Sequence, residues 1–218
     1  ILAQVPFFAR VQAIAPKQAQ LLLEHARLLE LRPGEVVIRR GEFDSWFFFV
    51  LKGHLRVGRE EDGSGTLAVL APGEVFGALA VIRDSERSAT IAAGAEEPAI
   101  LLGIDAAPFG DLEELEPVSL GTKQVFLETV NQALRDRLVA YRTRFPDHVL
   151  VKRLLPDASE VSPDLDSLRA LAEEADHLGE LLVAWNESLS EDEHARFAAT
   201  AQARPDLVGN WEDLLGAG

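Results

Sequence analysis

The chain has 218 residues, 47% of them apolar and 26% charged, with no cysteine, no methionine and a formal net charge of -15. That balance describes a globular protein of one or two domains and excludes a disordered chain; the missing cysteine excludes disulfides, thiolate nucleophiles and cysteine zinc sites, and fits a reducing cytoplasm. The densest apolar run, Trp46 to Leu51, has six residues and is far too short for a membrane span.

Charge is unevenly spread: residues 146–218 carry 5 basic against 16 acidic side chains. A nucleic-acid duplex is a dense line of phosphates, and a tail of this sign repels it. Ile1 is not a methionine, so the native start is expected to lie elsewhere.

Along the chain, Val5-Pro6-Phe7-Phe8 is an apolar entry, and Ala15 to Leu31 places Leu21, Leu22, His25, Leu28 and Leu29 at helical spacing. The spacing predicts helix through the first thirty residues, stopped by Arg32-Pro33-Gly34-Glu35. Short strands follow, separated by turn chemistry: 36–38, 46–51, 55–57, a hairpin turning at Asp62-Gly63-Ser64-Gly65 into 66–70, then 89–93 and 99–104. About eight strands at this spacing predict an α+β protein built on an antiparallel β-roll or jelly roll with flanking helices.

Between the last two groups of strands, Pro72-Gly73 leads into Phe76-Gly77-Ala78-Leu79-Ala80, and Arg87-Ser88-Ala89 follows. A glycine turn opening a very short helix brings free backbone N–H groups toward an anion, Arg87 adds a forked, permanently charged donor, and Ser88 adds a hydroxyl. This stretch closely resembles the phosphate-binding cassette of the cyclic nucleotide-binding domain family, of the catabolite-activator-like regulatory kind. The turn glycines Gly34, Gly41, Gly53, Gly73 and Gly77 recur where that family has them, so the resemblance covers residues 1 to about 140.

The resemblance implies that Phe76, Gly77, Ala78, Leu79, Ala80, Arg87, Ser88 and Ala89 bind the ligand, a cyclic nucleotide (cyclic AMP or cyclic GMP) or a similar small anion. Arg87 would pair with the cyclic phosphate; as a surface residue it would instead pair with Asp84 or Glu86. Ala78 departs from the family, which usually places there a glutamate that accepts the ribose hydroxyl. A hydrogen bond to a charged group contributes about 1.5 to 3 kcal/mol, so the departure predicts weaker nucleotide binding.

Past Pro117, Phe126, Val130, Leu134, Leu138, Tyr141 and Phe145 recur every three or four residues, with Glu128, Arg135, Asp136, Arg137 and Arg142 on the other face. In the resembled family a long helix here caps the pocket and pairs with its twin, so residues 118–145 are expected to cap the site and to form a homodimer seam. The remainder, 146–218, reads as an acidic helical tail domain punctuated by Pro156, Pro163 and Pro205, with Leu168, Leu171, Ala172, Ala175, Leu178, Leu182 and Trp185 at helical spacing. Ser190-Glu-Asp-Glu193 is a capping box that starts its next helix. From His194 to Arg204 only Arg196, Gln202 and Arg204 suit base or phosphate contact, so no helix-turn-helix is recognisable and nucleic acid is not expected as a partner.

Rival chemistry lacks residues. His54, alone at a strand start, and His25, His148, His177 and His194 on separate helices do not form the cluster that a metal-dependent barrel enzyme needs. The carboxylate pairs Glu60-Glu61 and Glu96-Glu97 sit in turns, and no phosphate-binding Gly-Lys-Ser/Thr loop is present. The expectation is therefore a cytoplasmic regulator without metal or catalytic residues. Its domains would be 1–117, 118–145 and 146–218, with a protein partner on the acidic tail. The alternative is a degenerate domain that no longer binds ligand and serves as a dimerisation scaffold.

Overall fold

The structure, a computed structural model, describes residues 5–59, 65–153, 155, 162–199 and 206–207. The hairpin residues 60–64 and Pro156, Gln202, Arg204 and Pro205 lie outside them.

Two short helices open the chain, α1 (Pro6–Ile14) and α2 (Pro16–Glu24), each with proline in its first turn, where the missing N–H leaves no bond unmade. The expected helix does not continue to Leu31. Residues Arg27–Leu31 form strand β1, which pairs antiparallel with the last strand of the roll, Leu29 opposite Leu101. Leu28 and Leu29 thus hold strand positions, because a backbone ladder to a distant segment outweighs the local leucine spacing.

The remaining strands are β2 (Val36–Ile38), β3 (Trp46–Lys52), β4 (Leu55–Gly58), β5 (Thr66–Leu70), β6 (Val75–Phe76), β7 (Thr90–Ala93) and β8 (Ala99–Asp105). They form two four-stranded antiparallel sheets, β1-β8-β3-β6 and β2-β7-β4-β5. The fold is the β-roll that the turn spacing predicts, flanked by helices. Between β6 and β7 lies the five-residue helix α3 (Ala78–Ile82), and after β8 the single turn α4 (Ala107–Gly110).

A 25-residue helix, α5 (Leu120–Arg144), follows the roll and packs against α1. Its stripe is buried within the chain: Phe126, Val130, Leu134, Leu138 and Tyr141 are at most 7% exposed. Phe126 meets Phe47 and Phe109 at ring separations of 4.9 and 4.6 Å. The seam expected to face a second copy is therefore covered by the chain itself.

Helices α6 (Leu165–Ser188) and α7 (Glu191–Ala198) provide the rest of that cover. Asp164 caps α6 through the Ser167 amide, and Ser190 and Glu193 close the expected capping box on α7. Between α5 and α6, Asn131 Nδ2 donates to the Leu171 carbonyl at 3.0 Å and Arg135 pairs with Glu174 at 2.8 Å. Tyr141 stacks on Trp185 and Phe197, with ring separations of 5.5 and 4.2 Å, which joins α5, α6 and α7 in one aromatic cluster. Leu168, Leu171, Leu178, Trp185 and Phe197 belong to the same hydrophobic core as Phe47, Phe49 and Phe126 of the roll and its long helix. Leu207 N then donates to Leu51 O at 2.8 Å, returning the chain to β3.

Candidate ligand site

Between the roll, α3, α5 and α6 lies a cavity of ≈ 170 Å³. The turn at 71–74 leads the chain into a stretch of its lining that begins at Glu74. Gly73, at φ +89°, donates to the Val50 carbonyl at 2.8 Å, and the Ala71 amide donates to Glu74 Oε2 at 2.7 Å, so the turn aims β6 and the following residues inward. Gly77 then takes φ +87°, a conformation that L side chains rarely adopt, and a Cβ there would stand 2.9 Å from the Trp46 carbonyl oxygen. Only glycine lets the chain turn here while touching β3.

Every residue of the sequence-derived cassette lines this cavity: Phe76, Gly77, Ala78, Leu79 and Ala80 from β6 and α3, and Arg87, Ser88 and Ala89 from the segment leading into β7. Phe76 is buried and stacks on Phe48 at 5.2 Å, which anchors the entry to the turn. Ser88 is exposed at the cavity's edge, and the Ala78 methyl is buried in its wall.

Arg87 has a different partner from those the local sequence offers. It is 3% exposed and pairs with Asp44, not with Asp84 or Glu86: Nε donates to Oδ2 at 3.0 Å and Nη2 donates to Oδ1. Nη1 donates to the Gly77 carbonyl and Nη2 also to that of Trp46. Asp44 is held in place because its Oδ1 accepts from the Trp46 amide at 2.8 Å, an Asx turn. The backbone repeats the pairing, Arg87 N to Glu42 O and Gly41 N to Arg87 O, both at 2.9 Å. The fork thus ties the 41–46 loop, the Gly77 turn and the segment before β7 into one unit.

Further polar groups reach the cavity from positions that the sequence reading left out of the site. Glu74 is the one carboxylate among its described lining residues. Its Oε1 accepts from Arg137 Nη2 of α5 at 3.0 Å. Arg137, expected on the solvated face of the long helix, has a side chain only 15% exposed. Tyr141 of α5 and Asn186 of α6 complete the wall, the tyrosine hydroxyl donating to Asn186 Oδ1 at 2.6 Å. Burial pushes the Tyr141 hydroxyl up to about 12, so it stays a neutral donor. A sequence signal for the last pair exists: Leu182 and Asn186 are one helical turn apart on the apolar stripe of α6, and both line the cavity. The remaining lining is apolar, including Ile38, Val57, Leu70, Ile91, Val130 and Leu134.

The lining suits a small molecule with an apolar body and a few polar edges. The histidines remain apart. His54 pairs with Glu97 at 3.0 Å, and buried His194 lies between the carbonyls of Leu67 and Asn186. No group of three potential metal ligands occurs among the described residues, and none of their helices is long and apolar enough to cross a membrane.

Comparison with known proteins agrees with the fold. Residues 28–114 match the family model described as Cyclic nucleotide-binding domain. The chain is 32% identical over 151 residues to the acetyltransferase Pat of Mycolicibacterium smegmatis, an alignment covering 68% of this chain and 41% of the relative. It is 36% identical over 102 residues to a cAMP-dependent protein kinase regulatory subunit of Mycosarcoma maydis, covering 46% and 19%. Over 82 residues it is 30% identical to the cyclic AMP receptor protein of Thermus thermophilus, covering 37% and 38%. Among solved structures, a cyclic nucleotide-binding protein from Geobacter metallireducens superposes with a TM-score of 0.50 at 20% identity, covering 62% of this chain and 92% of that one. The chain spans less than half the length of these curated relatives.

Proposed function

Residues 28–114 belong to the cyclic nucleotide-binding domain family, and from that premise we propose that the chain is a regulatory sensor taking a cyclic nucleotide, cyclic AMP or cyclic GMP, in the cavity under α5 and α6. One observation carries this reading: all eight cassette residues, 76–80 and 87–89, line a single cavity, with Gly77 in a left-handed turn at the start of α3. The cyclic phosphate would lie against the Gly77–Ala80 backbone, Ser88 and the edge of the Arg87 guanidinium. Glu74 stands as the ribose acceptor in place of the carboxylate that position 78 lacks.

Binding would be read out by the helices. Leu79 of α3 touches Gly179 of α6 so closely that a Cβ there would stand 2.8 Å from Leu79 Cδ2, and Arg83 Nε pairs with Asp176 at 2.8 Å. A ligand that moves α3 therefore moves α6, a two-state change of the kind that carries a signal. A homodimer would use the outward face of α5, where Val139 is 51% exposed, because the apolar stripe is already covered. Asp166, Glu173, Glu180 and Glu187 are exposed and recur every seven residues along α6, which supports a basic protein surface as the tail's partner. The reading is of a cytoplasmic regulator rather than an enzyme.

A second reading, the unliganded scaffold, is favoured by Ala78 and by the internal acceptors that hold Arg87. Thermal unfolding separates the two. A ligand that binds only the folded state raises stability with concentration, so cyclic AMP or cyclic GMP raises the melting temperature of the full chain and not that of Arg87→Leu. A melting temperature unmoved by either nucleotide at millimolar concentration leaves the scaffold reading.

A further inference from the structure

The helix α6 lies outside the segment 28–114 that matches the family, yet it closes the cavity. We infer that Asn186 of α6 reads the base of the bound nucleotide and selects an edge made of acceptors, an oxo-purine in preference to an amino-purine. The inference rests on the cyclic nucleotide reading of the same cavity.

A carboxamide carries one acceptor oxygen and two N–H donors. In Asn186 the oxygen is taken by the Tyr141 hydroxyl at 2.6 Å, while the amide nitrogen, on a residue that lines the cavity, has no partner among the described residues. The orientation is fixed from several sides. Tyr141 is clamped between Trp185 and Phe197, and the main chain beneath the carboxamide is held by the Asn186 backbone carbonyl, which accepts from His194 Nε2 at 3.0 Å and from Arg59. The charged group on the helix side of the cavity, among its described lining residues, is Arg137, whose guanidinium only donates. Asn186 and Arg137 thus set donors on the helix wall.

Purines differ in what they can offer such a wall. Guanine presents N7 and O6, both acceptors, along one edge; adenine presents N7 together with the N6 amino donor. Against Asn186 the amino group sets donor against donor, whereas O6 accepts.

The test is isothermal titration of the full chain with cyclic GMP and cyclic AMP, repeated for Asn186→Asp and Tyr141→Phe, each variant first checked for an unchanged circular dichroism spectrum. Asn186→Asp keeps an acceptor for Tyr141 and replaces the donor by a carboxylate oxygen. Tyr141→Phe keeps the stacked ring and frees the carboxamide to turn. The wild type binds cyclic GMP about tenfold more tightly, the effect of one well-placed hydrogen bond; Asn186→Asp reverses the preference, and Tyr141→Phe brings the ratio toward one. A wild-type preference for cyclic AMP, or a ratio that Asn186→Asp leaves unchanged, overturns the role of Asn186 while leaving nucleotide binding intact. Absence of heat from both nucleotides overturns the nucleotide reading itself, and this inference with it.

Discussion

The Arg87 guanidinium and the Asp44 carboxylate face each other as a two-bonded fork, Nε to Oδ2 at 3.0 Å and Nη2 to Oδ1, with the arginine 3% exposed. Forty-three residues separate them, and their contact joins the loop before β3 to the cassette. Replacing Asp44 by alanine leaves a buried cation with, among the described residues, the Gly77 and Trp46 carbonyls as its acceptors. Because the Asp44 side chain is 33% exposed, the cost is below that of a fully buried pair, about 1–3 kcal/mol. Urea unfolding shows this as a lower midpoint at unchanged slope.

Gly77→Ala tests the turn. Its φ of +87° penalises any Cβ, and the new atom meets the Trp46 oxygen at 2.9 Å and Arg87 Nη1 at 3.1 Å. The left-handed conformation alone costs about 1–2 kcal/mol. The expected outcome is a loss of at least that size in urea unfolding, together with loss of the nucleotide-dependent rise in melting temperature.

Glu74 is tested by removing its proposed partner atom from the ligand. If its carboxylate accepts the ribose 2′-hydroxyl, a 2′-deoxy cyclic nucleotide binds the wild type about tenfold more weakly than its parent. Glu74→Gln, which keeps an oxygen for the Ala71 amide, reduces that difference. Equal binding of parent and deoxy ligand by the wild type removes Glu74 from the site.

Tyr141 predicts an alkaline limb of the stability curve. Burial, the largest influence, raises its pKa from 10.0 to about 12 in the folded state. The native state therefore holds the phenolic proton more tightly than the unfolded chain, so its contribution is fully present below pH ~10 and falls away as pH rises toward ~12. A gap of that size corresponds to roughly 2–3 kcal/mol. Chemical denaturation between these limits shows the decline in the wild type and a flatter curve in Tyr141→Phe.

The sequence made some of this legible and hid the rest for physical reasons. Turn glycines mark strand ends because few other residues adopt their conformation, and the cassette could be read because its parts lie within fourteen residues, 76–89. Strand β1 was not legible: Leu28 and Leu29 continue the leucine spacing of α2, and their partner strand begins some seventy residues later. The stripe of α5 announces burial without naming what covers it; α6 and the roll do so, where a second copy was expected. Arg137 reads locally as a surface residue, and nothing near Asp44 or Asn186 in the sequence names a partner. Only folding brings them to Arg87, Glu74 and Tyr141.

The most direct measurement is isothermal titration of the full chain with cyclic AMP and cyclic GMP, beside the Arg87→Leu variant. The account predicts saturable heat with a dissociation constant on the order of micromolar, lost in the variant. No heat at millimolar nucleotide, or equal heat from the variant, would contradict it.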